Sequence, residues 1–90
     1  INFYQLACHN NEMNGCNSLG VAHYEGIGVE KNPIMAGMLF EMACNKDEWT
    51  ACYNLATLID TGLIGQRNHS RAKELYKKSC SGGIPEACSP

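Results

Sequence analysis

The chain reads as an all-α solenoid of helix–turn–helix units that repeat every 36 residues. Two observations predict it. Gly15–Thr50 lies over Ala51–Glu86 without a gap, and three cysteine pairs recur in the same register: Cys8 and Cys16, Cys44 and Cys52, Cys80 and Cys88. Self-similarity at a period of about 20–50 residues marks stacked supersecondary units, none of which buries its apolar face alone. In the overlay Cys16 falls on Cys52, Leu19 on Leu55, Gly26 on Gly62, Asn32 on Asn68, Ala36 on Ala72, Leu39 on Leu75, Phe40 on Tyr76 and Cys44 on Cys80. Residues 1–14 match the end of a preceding unit, with Tyr4 and Ala7 in the places of Phe40 and Ala43. Residues 15–50 and 51–86 are whole repeats, and 87–90 open a following one.

Each unit is helical by periodicity. In Ser70–Cys80 the less polar residues are Ala72, Leu75, Tyr76, Ser79 and Cys80, spaced i, i+3, i+4, i+7, i+8, while Lys, Arg and Glu fill most of the rest. That is one buried stripe on an amphipathic helix. Asn68 and its equivalent Asn32 are placed to cap the second helix of each unit, and Pro33 suits a first helical position. Gly82-Gly83 ends this helix in the second unit. The first helix of each unit is predicted over 14–25 and 50–61, closing at Gly26 and Gly62. Glycine-bearing loops, 26–31 and 62–67, join the two helices of a unit, and no segment reads as a strand.

The cysteines follow from this arrangement. Residues eight apart on one helix are ~12 Å apart along its axis, too far to bridge. Each pair instead straddles a turn, at 10–13, 47–49 and 82–85, with one cysteine on the last turn of a helix and the other on the first turn of the next. Antiparallel helices bring those ends together. Of the ~15 connectivities open to six cysteines, 8–16, 44–52 and 80–88 respects both the repeat and the local geometry. Zinc sites favour two to four residues between paired cysteines, so seven do not suit one. No metal or cofactor is expected. The pattern also lacks the C-x-x-C geometry of redox-active thiols.

Composition narrows the class further. Ninety residues with a net charge of −2 and scattered charges carry no Lys/Arg stripe for nucleic acid. No run approaches the ~18 apolar residues of a membrane span. Six cysteines, an even number in regularly repeated pairs, in a chain this short favour an oxidising compartment. The chain opens at Ile1, and we read it as a mature or excised segment, expecting flanking units or self-association at its open ends.

Leu19-Gly20 with His23-Tyr24, then Gly26-Ile27-Gly28-Val29, Ala36, Phe40 and Ala43-Cys44, resemble the Sel1-like repeat, a relative of the tetratricopeptide repeat. The cysteine pairs narrow the likeness to the Helicobacter cysteine-rich protein family, and Ala72–Cys88 is similar to that family throughout. The sequence departs from the repeat pattern at Ala56, at His23 and Ile59 in the place of a tyrosine, and at Leu63-Ile64-Gly65. The resemblance implies a right-handed superhelix, secreted or periplasmic, that binds other proteins or peptides. A second cysteine-rich branch, of the mitochondrial intermembrane space, is similar in design. Some family members are described as penicillin-binding proteins with weak β-lactamase activity, which supplies the alternative function.

Each reading names residues. Solenoids bind along a concave face. By analogy with the tetratricopeptide groove, Asn14, Asn17, Val21 and Tyr24 of the first unit and Thr50, Tyr53, Thr57 and Asp60 of the second line it. Asn and Tyr suit an extended peptide, because they hydrogen-bond backbone and pack on side chains. For the hydrolase reading, Ser70-Arg71-Ala72-Lys73 matches S-x-x-K, and residues three apart on a helix share a face. No S-D-N or K-T-G accompanies it, so Ser70 and Lys73 are an exposed helix start first and a nucleophile pair second. A scaffold, rather than an enzyme, is the reading taken.

Three further features stand out. Met35, Met38 and Met42 take the outward places held by Arg71, Glu74 and Lys78 in the second unit, as a partner surface or under a neighbouring unit. We expect the second. His23 is read as a packing histidine. Trp49, beside Cys52, is expected to cover its disulfide.

Overall fold

The computed structural model describes residue 8, residues 13–62 (side chains from 15) and residues 68–88. Four α-helices and one 3-10 turn make up the described part: α1 Met13–Glu25, α2 Pro33–Asn45, α3 Trp49–Thr61, α4 His69–Ser81 and the turn Pro85–Ala87. Among the described residues there is no strand. Each element packs chiefly on its sequence neighbour, α1 on α2, α2 on α3, α3 on α4, and α4 on the 3-10 turn. Nearest-neighbour packing of this kind defines an α-solenoid of helical repeats.

The helix boundaries have local causes. Asn32 and Asn68 both cap, their Oδ1 atoms accepting from the N–H of Met35 and Arg71 at 3.1 Å. Pro33 occupies the first turn of α2, where a missing N–H costs nothing. Left-handed residues close the helices. Gly26 and Gly62, both at φ 76°, end α1 and α3, a backbone region in which a Cβ is crowded. The ends of α2 and α4 share a hydrogen-bond pattern: Glu48 N–H donates to Ala43 and Asp47 N–H to Cys44, as Ile84 N–H does to Ser79 and Gly83 N–H to Cys80. These are paired Schellman closures. Gly83 takes the left-handed position in one and Asp47, at φ 67°, in the other.

The core is the repeated stripe. Cys16, Ala36, Phe40, Ala43, Cys44, Ala51, Cys52, Leu55, Ala56, Leu58, Ile59 and Ala72 form one buried cluster. Alanines recur where helices cross closely. Ser79, the equivalent of Ala43, is fully buried and its hydroxyl donates to the Leu75 carbonyl at 2.8 Å, the usual way for a buried serine to satisfy its proton within a helix.

Disulfides join Cys8 to Cys16, Cys44 to Cys52 and Cys80 to Cys88, with Cα–Cα distances of 4.5, 4.7 and 4.8 Å. All six cysteines are bridged. In the central junction Cys44 lies in the last turn of α2 and Cys52 in the first turn of α3, so the bridge closes the turn between units.

One expectation fails. Met35, Met38 and Met42 are exposed by 38%, 58% and 51%, and no neighbouring unit covers them among the described residues. Met38 edges an open hollow shared with Leu55 and Ile59 of α3 and Arg71 of α4, and its side chain stays exposed there. Trp49 packs across to the following junction. Its indole lies against Gly82 of the next junction, where a Cβ would overlap the ring, and the Lys78 ammonium sits 5.7 Å from the ring centroid. His23 is half-buried, and its Nδ1 is enclosed without a hydrogen-bond partner among the described residues. Residues 63–67 of the second loop, and with them Leu63-Ile64-Gly65, lie outside the described residues, as do Tyr4, Ala7 and most of the first junction.

Candidate binding groove

The first helices of the two units, α1 and α3, lie side by side along one face. The Asn54 side-chain amide donates to Asn17 Oδ1 at 3.1 Å and ties the helices across 37 residues of sequence. Beyond this bond Val21, Tyr24, Glu25, Phe40, Tyr53, Asn54, Thr57 and Leu58 line a hollow of about 200 Å³. Four residues singled out in the sequence, Val21, Tyr24, Tyr53 and Thr57, therefore meet in one place.

The groove continues past Tyr53. That ring sits 5.7 Å from the ring of Tyr76, tilted by 58°, within the favourable range for an aromatic pair. The Thr57 hydroxyl donates to the Tyr53 carbonyl at 3.1 Å. With its proton so used, it accepts from the Tyr76 hydroxyl at 3.3 Å. On the far side a wider hollow of about 800 Å³ is lined by Tyr53, Asp60, His69, Lys73, Tyr76, Lys77, Glu86, Ala87 and Cys88. Asp60 Oδ1 lies 3.0 Å from His69 Nδ1 there. Tyr53 thus forms the ridge between an apolar first hollow and a second one carrying charges of both signs.

The remaining sequence candidates fall elsewhere. Thr50 is exposed at the start of α3 and borders neither hollow. The side chain of Asn14 lies outside those described. Ser70 is exposed on the first turn of α4, and no hydrogen bond joins it to Lys73 among the described residues. Lys73 itself borders the wider hollow. Asn54, Phe40 and Tyr76 are among the contributors that the sequence does not point to. Asn54 has no signature beyond following Tyr53. Phe40 belongs to the buried cluster as well. Tyr76 is its equivalent in the repeat, and its hydroxyl is the signal that the position is only half-buried.

The Sel1 repeat model matches residues 14–48 and again 49–84. This chain belongs to the Sel1 repeat family. Solved Sel1-type structures share its backbone. Helicobacter pylori cysteine-rich protein B superposes with a TM-score of 0.90 at 28% identity over 97% of this chain. A protective antigen of uropathogenic Escherichia coli with an SLR fold superposes at 0.92 with 24% identity over 96% of it. A Sel1 repeat protein from Oxalobacter formigenes gives 0.84 and 24% over 87%. The chain spans 65%, 18% and 32% of those three proteins, respectively. No curated protein matches it in sequence. Among the described residues, no Sel1 helix is long and apolar enough to cross a membrane.

Proposed function

We propose that this Sel1 array is a binding scaffold that takes an extended segment of a protein partner along the α1/α3 face, in an oxidising, extracytoplasmic compartment. The observation that carries the reading is the continuity of the groove. Two hollows meet at the Tyr53–Tyr76 pair, and polar groups with spare hydrogen-bonding capacity edge an apolar floor. Asn17 Nδ2 and Asn54 Oδ1 remain free of partners among the described residues, so each offers a bond to a peptide backbone. Tyr24 and Tyr53 add rigid amphipathic area at small entropic cost, as aromatic anchors do in recognition surfaces. The compartment is supported by the six bridged cysteines.

The test is capture of partners with the oxidised chain, followed by affinity measurement on groove variants. Tyr53→Ala removes the ridge shared by both hollows. Truncating a central aromatic anchor of this kind costs about 2 kcal/mol, roughly thirtyfold in Kd. Asn17→Ala should weaken binding less. A partner whose affinity is unchanged in both variants binds elsewhere, and the groove reading fails.

A further inference from the structure

Helix α2 carries a chemical feature that the groove does not use. Met35, Met38 and Met42 are three of the chain's four methionines. At about 100° per residue, positions i, i+3 and i+7 fall within an arc of roughly 60°, so the three share one face. That face is open to solvent, since the side chains are 38%, 58% and 51% exposed. The equivalent positions of α4 are Arg71, Glu74 and Lys78, ordinary solvated residues, so the repeat fold itself does not call for methionine there.

A thioether sulfur is a soft, uncharged donor, and soft sulfur ligands select Cu(I) over harder divalent ions. Neighbours three and four apart on a helix have Cβ atoms about 5–6 Å apart, and methionine's unbranched, flexible chain lets two sulfurs turn toward one ion. Met35 and Met42 are about 10.5 Å apart along the axis, with Met38 between them and able to share an ion with either. Few groups compete. All six cysteines are tied in disulfides, and no cluster of His, Cys, Asp or Glu among the described residues could hold a metal. The adjacent carboxylate, Glu41, is engaged by Arg71 at 3.3 Å.

We propose that the outer face of α2 is a thioether site for one Cu(I), with Met38 as the shared ligand and either Met35 or Met42 as the second. The site is separate from the groove and does not depend on what the groove binds. Uncharged sulfurs compensate poorly for dehydrating a divalent ion, so Zn(II) is excluded.

The experiment titrates the full, disulfide-intact chain with Ag(I), a redox-inert soft ion, and with Cu(I) under anaerobic competition from a chelator. Methionine methyl resonances are followed throughout. The expected result is one equivalent bound, with the methyl groups of Met35, Met38 and Met42 shifting while that of Met13 does not. Met38→Leu should lower affinity at least tenfold, and Met35→Leu or Met42→Leu by a smaller factor each. Leucine at these exposed positions keeps helix propensity, and unchanged circular dichroism verifies the fold. Binding no tighter than millimolar, equal affinity for Zn(II), or unchanged Cu(I) affinity in Met38→Leu would overturn the proposal.

Discussion

Asp47 shows how much one backbone angle explains. It holds φ 67° at the end of α2, where Gly83 holds the same place at the end of α4. The left-handed region crowds a Cβ against the following carbonyl, and Asp is tolerated there better than most residues. The corresponding position before Cys16 is Asn11, again a residue type that tolerates this geometry. Asp47 also places a negative charge beside the negative end of the α2 dipole. Asp47→Gly should therefore stabilise the fold by about 1 kcal/mol, read as a higher midpoint in thermal unfolding. A lower midpoint would mean that the carboxylate has a structural partner more valuable than the relief of strain.

Among the elements, the contact between the start of α3 and the end of α4 is the least obvious. Gly82 has φ −82°, an ordinary helical value, so a side chain is not barred by backbone conformation. What bars it is Trp49, whose indole occupies the space of a Cβ. The glycine is a packing surface for the ring. Gly82→Ala should displace the indole and destabilise the chain by about 1–3 kcal/mol, the usual cost of overpacking, with a change in tryptophan fluorescence at low denaturant. Gly20 plays a comparable part between α1 and α2, where a Cβ would come within 2.6 Å of the buried Phe40 ring. Both glycines look like generic helix or turn residues in the sequence. Their reason is visible only across an interface.

At the scale of the whole molecule, the solenoid has no central core to draw on. Its buried cluster is a chain of side chains passed from helix to helix, and a 90-residue chain has little apolar area in reserve. Local covalent closure accordingly matters. Replacing Cys44 and Cys52 together by alanine opens a loop of nine residues, counted inclusively, and on the loop-entropy model costs about 2.6 kcal/mol. Denaturant unfolding of the double variant checks this. The same logic predicts that reductant lowers stability under conditions that leave other helical repeats untouched. Equal stability of the reduced and oxidised chains would remove the disulfides from the account of the fold.

Much of this architecture was legible before any coordinates. The period, helix type, Asn caps, closing glycines and cysteine pairing all depend on residues close in sequence or on the repeat that copies them, and such signals survive without knowledge of the third dimension. The groove was legible only in part. Val21, Tyr24, Tyr53 and Thr57 could be placed on one face by helical spacing. That Asn54 bonds Asn17, that Tyr76 leans on Tyr53, that Trp49 rests on Gly82 and that the α2 methionines stay uncovered could not. Those outcomes depend on the angle and offset between neighbouring helices, which are set by the combined packing of many buried side chains. No single stretch of the chain carries that sum, so the tertiary structure alone decides it.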